Sequence, residues 1–116
     1  MKKILVVDDE ENICKLYKAE LEEMGFEVTT VMDGSSALAA IETSRYDLVT
    51  LDMRMKGMDG IETLRKMKER DANLPVIISS ASEEYKNDFG SWASDAYIVK
   101  SSDMTLLRET VKKLLG

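Results

Sequence analysis

The chain has no histidine, one cysteine and one proline in 116 residues. The absence of histidine removes imidazole acid/base chemistry, histidine metal ligation and any role as a histidine phosphodonor. A lone Cys14 cannot close a disulfide within the chain, which fits a reducing compartment and a cytoplasmic setting. No apolar run approaches the roughly 20 residues of a membrane span, so no membrane insertion is expected. The opening MKKILVVDDE starts basic, but aspartates interrupt its apolar run too soon for a signal peptide. Basic residues are outnumbered, 16 against 22 acidic, for a net charge of -6. That balance weighs against direct nucleic-acid binding, which relies on clustered lysine and arginine. No repeat, linker or low-complexity stretch divides the sequence, and residues 1–116 read as one domain.

What is present is an alternation. Apolar runs at Lys3–Val7, Glu27–Val31, Asp47–Leu51, Val76–Ser79 and Ala96–Val99 read as strands. Runs as continuously apolar as ILVV and VIIS suit strands covered on both faces, and such strands are typically parallel. Between the strands, apolar residues recur at helical spacing: Ile13, Leu16, Tyr17, Leu21 and Met24, then Ile61, Leu64 and Met67, then Leu107, Val111 and Leu114. Gly25 reads as a helix stop, and Asp59-Gly-Ile-Glu62 as a capping box. The predicted fold is α/β: a (βα)₅, flavodoxin-like, doubly wound parallel sheet. Right-handed crossovers point to strand order 2-1-3-4-5, which sets the first and third strands side by side at a switch point.

That order gathers chemistry on one rim. Asp8 and Asp9 follow the first strand, Asp52 the third, Ser80 the fourth and Lys100 the fifth. Three carboxylates on adjacent strand ends repel one another unless a cation joins them. A hard divalent ion suits them: Mg²⁺, or Mn²⁺ in its place, takes oxygen ligands and retains water. Asp9 and Asp52 are candidates to bind it directly, with Asp8 holding a metal-bound water. An Asp52 oxygen then becomes a nucleophile toward phosphorus. Lys100 can pair with a phosphoryl oxygen, and the Ser80 hydroxyl can donate to another.

Each residue also has an ordinary reading. Asp9 can serve as the N-cap of a helix over Glu10–Met24, and Asp52 can cap or solvate a loop. A lysine at a strand end is commonly a solvated one. Capping explains Asp8 poorly, since one carboxylate is enough for one helix. Cys14 reads as a small core residue or a bystander on its helix. Met53, Met55 and Met58 read as loop packing.

The blocks ILVVDDE, LDMRMKGMDGIE, PVIISSA and DAYIVK, in this order and spacing, resemble a response-regulator receiver domain over essentially the whole chain. The stretch LDMRMKGMDGIETLRKMK is similar to stand-alone regulators of the sporulation-relay kind. The resemblance implies that Asp52 is the phosphoacceptor and that Asp8 and Asp9 are metal-site acids. It implies that the Arg54 backbone carbonyl is a further Mg²⁺ ligand. It assigns Ser80 as the switch hydroxyl, Lys100 as the phosphate-pairing lysine and Tyr97 as the switch aromatic. The implied donor is a phosphohistidine on a sensor histidine kinase or phosphotransfer protein. The implied output is a downstream protein target or effector domain, with a phosphorylation-dependent dimer among the expected assemblies. Such a domain catalyses only its own phosphorylation and dephosphorylation.

Four departures from the family pattern stand out. Ser101 follows Lys100 where proline with a cis bond is usual. A non-proline cis bond costs about 3–4 kcal/mol, so the expectation is a trans bond with Lys100 displaced, or a strained cis bond. Lys56 replaces a loop proline. The stretch from Ser80 to Lys100 is about two residues short by comparison with the family. Within it, EEYKNDFGSWASDAY replaces the usual small-residue helix ending, with Gly90 as a break and Tyr85, Phe89 and Trp92 as edge packing or a partner surface.

Three other readings compete. One is a receiver-like interaction module that no longer switches. A second is a carrier of FMN, which needs a hydroxyl- and glycine-rich phosphate loop where Asp8–Glu11 stands. A third is a haloacid-dehalogenase-type phosphatase, which needs an Asp-x-Asp pair where this chain has Asp8-x-Glu10.

Overall fold

The computed structural model describes residues 1–53, 60–81 and 94–116. Arg54, Met55, Lys56, Met58, Asp59, Tyr85, Phe89, Gly90 and Trp92, and with them the stretch EEYKNDFGSW, lie outside the described residues. The elements in chain order are β1 (Lys3–Val7), α1 (Glu11–Glu23), β2 (Glu27–Val31), α2 (Gly34–Thr43), β3 (Leu48–Asp52), α3 (Gly60–Arg70), β4 (Val76–Ser80), β5 (Ala96–Val99) and α4 (Thr105–Leu115).

The strands form one parallel sheet in the order β2-β1-β3-β4-β5, as the sequence pattern predicts. Alternation along each strand feeds two cores. Ile4, Val6, Leu48, Ile77 and Ile98 join Cys14, Tyr17 and Leu21 of α1 and Leu107 and Val111 of α4. Leu5, Val7, Val49, Leu51, Val76 and Ile78 join Ala37 of α2 and Leu64 and Met67 of α3. Helices therefore cover both faces, which is why β3 and β4 are buried at every position and β1 at every position but Lys3. Met53 is buried in the second core, as loop packing requires.

Helix α1 ends in a Schellman motif: Gly25 N–H donates to Glu22 O at 2.9 Å and Phe26 N–H to Leu21 O at 3.2 Å, with Gly25 at φ 97°. At α3 the constraint on glycine is closeness. Gly60 N–H donates to Met53 O at 2.9 Å, and a Cβ there would lie 2.5 Å from Asp52 O. The backbone just after Asp52 is thus packed against the start of α3.

Three strand limits, both of β3 and the last of β4, differ from the sequence reading by one residue. Asp47 lies before β3, where its carboxylate accepts from Lys3 N–H at 2.8 Å. Asp52 and Ser80 lie inside β3 and β4 as their last residues, paired in register with Ser79 and Val99.

Candidate functional site

The carboxyl ends of β1, β3, β4 and β5 bring Asp8, Asp52, Ser80 and Lys100 to one edge. Asp8, Asp52 and Ser80 are buried, at 1%, 4% and 3% exposure. Buried ionised carboxylates demand partners, and Lys100 supplies them. Its ammonium lies 2.9 Å from Asp8 Oδ2, 3.3 Å from Asp52 Oδ1 and 3.2 Å from Glu10 Oε1. The Lys100 backbone N–H donates to Ser80 O at 2.6 Å, which continues the β4–β5 ladder past the last paired residue.

The Lys100–Ser101 peptide bond is trans. The expectation that a trans bond displaces Lys100 is therefore corrected: the ammonium still reaches both acids. The backbone bond to Ser80 fixes the root of the side chain, and its four-carbon stem spans the rest.

Capping of α1 also differs. Asp9 is not the N-cap. That position falls to Glu10, in extended conformation and without a side-chain cap bond. Asp8 does cap-like work, its Oδ1 accepting from Glu10 N–H at 2.9 Å. Asp9 is half-buried beside it. Among the described residues, the carboxylates of Asp8, Asp9 and Glu10 lie within 4.8 Å of one another, and Asp52 is not one of the three. Glu10 is not among the sequence-predicted site residues, and its contact with Lys100 adds it to the rim. An acid directly after an Asp-Asp pair on the same rim is the signal that would have found it.

The electrostatics follow from burial. Burial pushes the Asp8 carboxyl above its ordinary range, against the hydrogen bonds from Lys100 and from Glu10 N–H. Burial pulls the Lys100 ammonium down, but the hydrogen bond and charge of Asp8, with the charge of Asp52 and the bond to Glu10, outweigh it and raise its pKa. One cation is thus shared by three carboxylates, with Asp9 adjacent. This hard-oxygen, anion-rich donor set fits a small divalent cation. Arg54, the expected carbonyl ligand, lies outside the described residues.

Tyr97 is half-buried and packs against the second core. Beneath the rim, Tyr17 and Ser79 share a buried hydroxyl–hydroxyl bond of 2.7 Å, and the Cys14 thiol donates to Asp8 O at 3.2 Å. Cys14 is buried, as a small core residue would be.

This edge, with its acids divided between the neighbouring ends of β1 and β3 and a lysine reaching across, is that of a flavodoxin-like receiver fold. The family model for the response regulator receiver domain matches residues 4–112, and the chain belongs to that family. It is 36% identical to the alkaline phosphatase synthesis transcriptional regulatory protein PhoP of Bacillus subtilis, over 98% of this chain and 48% of PhoP. It is 35% identical to the transcriptional regulatory protein ZraR of Salmonella typhimurium, over 97% of this chain and 26% of ZraR. The chain thus spans about half or less of the curated relatives it matches. Among solved structures, it resembles response regulator TrrA of Thermotoga maritima in complex with Mg²⁺-BeF, at 44% identity and TM-score 0.96. That match covers 98% of this chain and 99% of TrrA. A structure of histidine kinase ThkA in complex with TrrA matches at 44% identity and TM-score 0.94, covering 100% of this chain and 100% of the matched one.

Proposed function

We propose that this receiver accepts a phosphoryl group on Asp52 from a phosphohistidine of a sensor histidine kinase or phosphotransfer protein, and acts as a two-state switch. The observation that carries the reading is the Lys100 ammonium held between Asp8 and Asp52, at 2.9 and 3.3 Å. A fixed cation beside a buried nucleophilic carboxylate is what a phosphoryl group needs on arrival.

In this reading Asp8, Asp9, Asp52 and the Arg54 carbonyl would hold Mg²⁺, with Glu10 at the margin, and the bound ion would neutralise charge on the transferring phosphoryl oxygens. An Asp52 oxygen attacks phosphorus, the P–N bond to the donor imidazole breaks, and its electron pair leaves with the imidazole nitrogen. Lys100 pairs with a phosphoryl oxygen, and the Ser80 hydroxyl donates to another. Water attack at phosphorus later breaks the P–O bond and returns the Asp52 carboxylate. The domain thus catalyses only its own modification.

The modification adds roughly one to two negative charges at the rim. Ser80 moves to meet them, and Tyr97 turns with it, so the phosphoryl group biases two pre-existing states. The output is a downstream protein target, an effector domain or a phosphorylation-dependent dimer. Among the described residues no helix is long and apolar enough to cross a membrane, and a cytoplasmic site of action fits the kinase donor.

The test is Mg²⁺ with beryllium fluoride, a phosphoryl mimic, followed by thermal melting. Stabilisation that requires both additives and disappears in Asp52→Asn supports the reading. Equal behaviour of the two proteins favours an interaction module that does not switch.

A further inference from the structure

Helix α1 holds the ends of both strands that flank β3. Strands β1 and β4 are the neighbours of β3 in the sheet, and β3 ends in Asp52. From α1, Cys14 donates its thiol proton to Asp8 O, just past β1, at 3.2 Å. Three residues on, and so on the same helix face, the Tyr17 hydroxyl bonds Ser79 Oγ of β4 at 2.7 Å. Ser79 is the register partner of Asp52. The next residue, Ser80, accepts the backbone N–H of Lys100 at 2.6 Å, and the Lys100 ammonium reaches Asp8 and Asp52. A continuous path of short bonds therefore runs from Tyr17 through Ser79 and Ser80 to Lys100.

The Tyr17–Ser79 pair is unusual in its surroundings. Tyr17 is 2% exposed, Ser79 likewise 2%, and their neighbours in that core are Ile4, Val6, Ile77, Ile98 and Leu107. Replacing both members of a buried hydrogen bond by apolar groups of similar shape is close to neutral for stability. A phenylalanine–alanine pair would serve packing equally well. What only the hydroxyl pair provides is direction: it fixes the end of β4 relative to α1, at the register position beside Asp52.

We propose that Tyr17 is a positioning residue for phosphoryl transfer, acting through Ser79 and the end of β4 to set where Lys100 stands against Asp52. This role rests on the phosphoacceptor reading given above. Tyr17 touches no reacting atom. Its helix sets the spacing of the two strand ends between which the phosphoryl group is received.

The experiment compares wild type, Tyr17→Phe, Ser79→Ala and the double variant by three readouts: amide exchange at Lys100, the rate of phosphoryl gain from acetyl phosphate with Mg²⁺, and melting temperature. Tyr17→Phe keeps the ring in place, so folding is retained. The expected result is a fall of about 3- to 10-fold in both Lys100 amide protection and phosphoryl-gain rate for each single variant, the scale of one hydrogen bond. In the double variant melting temperature returns toward wild type while the rate stays low. Recovery of rate together with melting temperature would overturn the proposal and leave packing alone. Unchanged Lys100 protection would also overturn it, whatever the rate does. A wild type that gains no phosphoryl group would overturn the phosphoacceptor reading and this role with it, with Lys100 exchange still deciding whether the β4 clamp exists.

Discussion

The Lys100 ammonium lies 2.9 Å from Asp8 Oδ2, joining the end of β5 to the end of β1 across β4 and β3, with both side chains withdrawn from solvent. This contact makes the rim a pre-formed charge pair. It also ties stability to function, because the same groups that would receive a phosphoryl group are costly to bury.

Lys100→Met strips the shared cation from Asp8 and Asp52. With no divalent ion present, loss of that cation from beside two buried carboxylates should lower stability by about 3 kcal/mol. Urea unfolding measures this, and saturating Mg²⁺ should return part of the loss by neutralising the same acids.

Asp8→Asn should act in the opposite direction. The raised pKa means that the folded chain holds the Asp8 proton more tightly than the unfolded chain does. Stability from that proton is fully present below the ordinary aspartate range and is lost as pH rises through the raised value. Ionised Asp8 therefore weighs against the fold at neutral pH. Without divalent cation, Asp8→Asn should melt higher than wild type at pH 7. The gap should close as pH falls below the ordinary aspartate range. Mg²⁺ affinity should fall in the same variant.

Mg²⁺ alone should stabilise the wild-type chain by ligand linkage, by about 2.7 kcal/mol at 100 times its dissociation constant. Asp9→Asn should lose most of that gain while folding normally. Calorimetry with and without the ion checks both statements.

Gly60→Ala places a Cβ 2.5 Å from Asp52 O and 2.7 Å from Met53 Cα and Met53 O, all backbone-linked atoms. Relief requires α3 or the end of β3 to move. A loss of about 1–3 kcal/mol is expected, with slower phosphoryl gain because Asp52 shifts. Denaturant unfolding and a phosphorylation time course read the two effects separately.

Much of this architecture was legible in the sequence because it rests on period and chain order. Continuous apolar runs such as Ile4–Val7 marked buried parallel strands, and the crossover rule turned them into one sheet with Asp8 and Asp52 on neighbouring strands. What escaped depends on long-range geometry. Tyr17 was visible as a core position, but its hydroxyl partner Ser79 lies 62 residues away. The backbone bond to Ser80 that anchors Lys100 has no local signature, so the Lys100-Ser101 junction alone suggests a displaced lysine where none is found. The contact of Glu10 with Lys100 joins residues 90 apart in the chain, and no local pattern marks it.

The central claim is that Asp52 takes a phosphoryl group. Intact mass spectrometry after incubation with Mg²⁺ and either acetyl phosphate or phosphoramidate tests it directly. Wild type should gain one phosphoryl mass, the gain should depend on Mg²⁺, and Asp52→Asn should lose it. No gain from either donor, or an equal gain in Asp52→Asn, would contradict it.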